Sequence, residues 1–67
     1  MKVLLASSFY TDYTLYKGIT DVNAFIEAVK NQDTSNYDII GFQDNISTED
    51  AIIQADKIIF LDDILDN

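Results

Sequence analysis

Apolar and polar positions along this chain fall into short blocks, and the period of the pattern changes from block to block. The first, "KVLLASSFY" (Lys2 to Tyr10), is apolar with β-formers toward its end, which predicts a strand. Thr11-Asp12 suits a turn. In "YTLYKGI", Tyr13, Leu15 and Lys17 alternate with Thr14, Tyr16 and Gly18, which predicts a second strand and with it an N-terminal hairpin. The period then lengthens. Val22, Phe25, Ile26 and Val29 stand at i, i+3, i+4 and i+7, one face of a helix that Thr20 or Asp21 can cap. Glu27 and Lys30 lie on its wet side, spaced to pair weakly. "NQDTSN" supplies turn formers that stop the helix, and "YDIIGFQ" predicts a third strand.

The last third of the chain supports two readings. Ser47 followed by Asp50 has the form of a capping box, and Glu49 and Asp50 are favourable in a first turn. Residues 48–56 can then form a short helix leading into a buried strand, "KIIFLDD". Alternatively "AIIQ" is a strand, Ala55-Asp56 a tight turn and "KIIFLDDI" the returning strand. The β-branched and aromatic runs at Ile52, Ile53, Ile58, Ile59 and Phe60 favour the hairpin. The expected fold is a single small α+β domain over residues 1–67, ordered ββαβββ. One helix packs across an antiparallel sheet, and a second short helix at 48–56 is the alternative.

Composition removes most chemistry from consideration. At 67 residues only about 60% of the unfolded surface can be buried, and 48% hydrophobic content must supply the core without covalent help. There is no Cys for a disulfide and no Cys or His for a structural zinc. Such a chain packs very well or associates, so a homodimer is expected. The absence of His, Cys and Arg removes the usual nucleophile–base pairs, transition-metal ligands and the bidentate phosphate clamp. Two glycines leave no phosphate-cradling loop. The expectation is a protein that is not an enzyme and uses no cofactor. A calcium loop over "DNISTED" lacks the turn glycine and ligand spacing, so no metal is expected either. "VLLA" is too short for a signal peptide or membrane span, which points to the cytoplasm.

Charge is the most uneven feature. Four lysines face twelve acids, a formal charge of −8 and a pI near 4.1. Direct binding to nucleic acid or an anionic membrane is therefore disfavoured. Residues 1–37 carry four acids against three lysines, whereas residues 38–67 carry eight against Lys57 alone. Carboxylates two apart on a strand lie ~6.6 Å from each other, comparable to phosphate spacing, and a one-signed face steers toward a basic cleft. Asp44, Glu49, Asp50, Asp62, Asp63 and Asp66 are the candidates for that face. Phe9, Tyr10, Tyr13 and Tyr16 crowd the first hairpin; Phe9 suits the core, and Tyr13 and Tyr16 suit a protein interface. Phe25 is expected in the core.

Two resemblances accompany this reading. "AIIQADKIIFLDD" resembles the C-terminal hairpin of many short bacterial and phage proteins, in which an Ile-rich strand ends in paired acids. "YTLYKGITDVNAFIEAV" followed by "YDIIGFQ" is similar in order to the phage inhibitors of uracil-DNA glycosylase. In that family a helical Phe and nearby acids grip the enzyme's DNA-intercalating loop. The matching positions here are Phe25 and Glu27, with Ile26 between them where the family has the two adjacent. The wider class, small acidic phage inhibitors including anti-CRISPR proteins, implies a phage-type inhibitor acting in the host cytoplasm. It would mimic nucleic acid and block the basic DNA-binding site of a host nuclease or DNA-repair enzyme. The competing expectation is a structural or adaptor protein that dimerises or pairs through β-edges.

Overall fold

The computed structural model describes residues 1–7, 12–41 and 46–65. The chain forms β1 (Val3–Ala6), β2 (Tyr13–Lys17), α1 (Val22–Lys30), β3 (Asp38–Ile40), α2 (Thr48–Gln54), β4 (Lys57–Phe60) and α3 (Leu61–Leu65). The strands make one four-stranded sheet in the order β3-β2-β1-β4. β2 pairs antiparallel with β1 and with β3, whereas β4 lies parallel to β1, with Val3 opposite Lys57 and Ala6 opposite Phe60. The α+β class and the N-terminal hairpin agree with the sequence pattern, and the second short helix is present.

The preferred C-terminal hairpin is not. Ser47 caps α2 by accepting a hydrogen bond from the Asp50 N–H at 3.1 Å, and Ala51, an excellent helix former, is wholly buried under it. Local capping outweighs the β-branched pair Ile52-Ile53, which the helix turns outward; Ile53 is 80% exposed. The consequence is topological. A helix carries the chain from one end of the sheet to the other, so β4 enters parallel to β1, and the sheet is mixed rather than antiparallel. The Ala55-Asp56 turn becomes the seam of this parallel pair. The N–H groups of Asp56 and Lys57 donate to the Lys2 carbonyl at 2.8 and 3.3 Å, and the Lys2 N–H donates to an Asp56 carboxylate oxygen at 2.7 Å.

Helix α1 follows its sequence signals closely. Asp21 caps it through the Ala24 N–H at 3.1 Å, and Glu27 and Lys30 stand 3.8 Å apart on the outer side. At the far end the N–H groups of Gln32 and Asp33 return to the carbonyls of Val29 and Ala28, a Schellman closure with Gln32 in the left-handed region at φ 56. The fully buried Phe25 packs edge-on against Tyr16 and Tyr37, with ring centroids 5.1 and 5.2 Å away.

The sheet is covered on both faces. Alternate residues of β1 and β4 send Val3 and Ile59 toward α1 and α3, and Leu4 and Ile58 toward α2. On the first face Ile64 of α3 and Val29 of α1 close over Phe25 and Ile19. On the second the buried set is Leu4, Ala6, Leu15 and Ala51. Among the described residues no polar or charged side chain is buried as a whole.

Candidate acidic interaction surface

Strand register, with the turns and helix starts that adjoin the strands, assigns most of the described charges to an end of the sheet. The C-terminal ends of β1 and β4 define one end. Tyr13 stands opposite Ala6 there, and the Ser7 N–H donates to the Asp12 carbonyl at 2.9 Å, so Asp12 lies at this end. The Tyr13 hydroxyl donates to the Ile46 carbonyl, which sets Ser47 and the start of α2 beside it. Helix α3 begins directly after Phe60, opposite Ala6. Asp12, Glu49, Asp50, Asp62 and Asp63 are all exposed and all belong to this end.

The other end is balanced. Lys17 stands opposite Asp38, Lys57 stands opposite Val3, and Lys2 precedes β1. Its acids are largely engaged in structure: Asp21 caps α1, and Asp56 accepts from the Lys2 N–H. On the α1 side Glu27 pairs with Lys30, and Asp33 accepts from the Ser35 hydroxyl at 3.1 Å. By contrast, the carboxylates of Asp12, Glu49, Asp50, Asp62 and Asp63 make no hydrogen bond or ion pair among the described residues. Of the described acids, only Asp38 at the opposite end likewise makes no hydrogen bond or ion pair among the described residues.

The displayed acids are tolerated for a local reason. Both α2 and α3 start at this end, so Glu49, Asp50, Asp62 and Asp63 sit in first turns, where the positive pole of each helix offsets their repulsion. Four strands side by side span ~14 Å, and Asp12 at the β1–β2 turn and Asp62 and Asp63 after β4 flank β1 at this end. A strand ladder of carboxylates, expected at the end of "KIIFLDD", does not form. The chain turns helical at Leu61, and neighbouring helical residues diverge by about 100°. Asp62 and Asp63 therefore point apart. Asp63 lines a groove of about 340 Å³ together with Lys30, Lys57, Ile58 and Phe60, and Asp62 does not.

Of the other expected interface residues, Tyr16 is 6% exposed and belongs to the core, where alternation along β2 aims it at Phe25. Tyr13 is half-buried, with its hydroxyl occupied by Ile46. Phe25 is fully buried as expected for core, so the gripping role that the glycosylase-inhibitor resemblance implies is closed to it. Asp44, Asp66, Phe9 and Tyr10 lie outside the described residues. Asp12 is the acid that the sequence did not single out. It sits in the nearly neutral half of the chain, and only pairing of β1 with β2 brings it to the acidic end; its place in the "TD" turn was the available signal.

Among the described residues no three metal-ligating side chains come together, and no helix is long and apolar enough to cross a membrane. Comparison with known protein families, with curated proteins and with solved structures finds no match for this chain.

Proposed function

We propose that this protein is a small acidic binding protein that mimics nucleic acid and occupies the basic DNA-binding site of a host nuclease or DNA-repair enzyme. It would act as a phage-type inhibitor in the host cytoplasm. The observation that carries the reading is the sorting of charge: of the six described carboxylates without a hydrogen bond or ion pair, all but Asp38 lie at one end of the sheet, and three of the four lysines lie at the other. If the acids served solubility alone, no such sorting would be needed, since scattered charge solubilises equally well. A one-ended negative edge also orients the molecule as it approaches a positive cleft and raises the association rate.

The test is competition. The protein is immobilised and exposed to lysate from a bacterial host, and retained proteins are identified by mass spectrometry. The mimic reading expects nucleic-acid enzymes that elute with rising salt and are displaced by duplex DNA. A variant carrying Asp12→Asn, Glu49→Gln, Asp50→Asn and Asp62→Asn should fold normally and bind the same enzyme at least about tenfold more weakly, each screened contact being worth up to about 1 kcal/mol. A partner that DNA fails to displace, or that the four-amide variant binds as well as the parent, would refute mimicry.

A further inference from the structure

The groove beside β4 runs along an open strand edge. β4 is an edge of the sheet, paired with β1 on one side. Because the Lys57 N–H turns inward to the Lys2 carbonyl, strand alternation turns the peptide groups of Ile58 toward the open edge. Ile26 and Ile58, both half-buried, line the groove beside this edge. Its charges are ordered along the strand. Lys57 stands at the start of β4, Lys30 on α1 lines the same groove, and Asp63 stands past the end of the strand in α3. Lys30 already has Glu27 at 3.8 Å, whereas Lys57 has no ion pair among the described residues.

A strand with a cation at its start and an anion three residues past its end is complementary to its own reverse. We infer that β4 is a self-association edge whose occupant is a second copy of this chain, paired antiparallel about a twofold axis that runs perpendicular to the sheet and just outside Ile58, so that the two Ile58 residues exchange their outward N–H and C=O groups. That axis continues the sheet from one protomer into the next and keeps α1 and α3 of both on one face. It also sets Lys57 against the strand end of its mate, where Asp63 of the partner subunit begins the groove. The pair occurs twice by symmetry. The seam shelters Ile26 and Ile58 from water and uses the outward peptide groups of Ile58, so edge pairing supplies direction and the two ion pairs supply register. A four-residue edge is short, and the association is weak. The inference does not rest on the mimic reading, because Asp12, Glu49, Asp50 and Asp62 stay outside the seam.

Charge exchange tests it. Analytical ultracentrifugation of the parent chain at millimolar concentration should show a dimer whose dissociation constant rises with salt. Lys57→Asp and Asp63→Lys, each alone, should weaken dimerisation at least about tenfold, because each turns two attractive contacts repulsive. An equimolar mixture of the two variants should restore it, since every contact in the mixed dimer is again between opposite charges. Circular dichroism of each variant confirms that the monomer fold is kept. Hydrogen exchange of the Ile58 amide should slow as parent concentration rises. A parent chain that stays monomeric overturns the inference, as does a dimer indifferent to Lys57→Asp or a mixture that associates no better than its components.

Discussion

The two faces of the sheet are built to different standards. Under α1 and α3 lie Phe25, Ile19 and Val3 with no exposure at all, locked by two edge-on aromatic contacts. Under α2 the helix contributes one buried side chain, Ala51, while Ile52 and Ile53 face solvent. The first face makes the molecule stable. The second is a thin cover whose helix start holds Glu49 and Asp50 where a partner can reach them. A chain of this size cannot build two full cores, so it concentrates apolar volume on one side and leaves the other to display charge.

The largest expected effect separates the faces most directly. Phe25→Ala removes the ring that Tyr16 and Tyr37 both contact and should cost about 3–5 kcal/mol. A domain of this length has roughly 3–10 kcal/mol in total. The variant should therefore lose its cooperative thermal transition by circular dichroism. An ordinary melting curve near that of the parent would show that the α1 face does not dominate.

Gly41→Ala probes the seat of α2. Gly41 has φ 83, and a Cβ there would run into the Ile46 side chain, just before the Ser47 cap. Left-handed strain and the clash together should cost about 2–4 kcal/mol in urea denaturation. Ser47→Ala should cost about 1 kcal/mol, because it orphans the Asp50 N–H without touching either buried cluster. A loss as large as that of Phe25→Ala would mean that α2 is integral to the core rather than a cover. The smallest effect belongs to Ile53→Ser. At 80% exposure it should change stability by less than about 0.5 kcal/mol. A larger loss, measured in the same denaturation series, would show that α2 buries more in solution than Ala51.

Local signals were legible wherever neighbouring residues decide the outcome. The four-residue spacing of Val22, Phe25, Ile26 and Val29, and the caps at Asp21 and Ser47, all lie within a turn or two of chain. Reading the same way, Phe25 was recognisable as core. The β-branched runs of the last third misled because strand propensity describes how a side chain fits a half-buried sheet, and at Ile52 and Ile53 no sheet is present to receive it.

What the sequence by itself determined is therefore the inventory: one α+β domain without Cys, His or Arg, an excess of acid, a well-capped central helix, and a choice of two states for residues 48–56. Only the tertiary structure decided which end of the sheet the strand-flanking acids occupy. Asp12 stands close to Lys17 in sequence, yet the two occupy opposite ends of β2, and Asp12 joins Asp62 because β1 pairs with β2 on one side and with β4 on the other. Asp56, read from the sequence as part of a tight turn, accepts a hydrogen bond from the Lys2 N–H, 54 residues away. Pairing between strands far apart in the chain leaves almost no local trace in composition or period, and the gathering of Asp12, Asp62 and Asp63 at one end of the sheet is a property of that pairing.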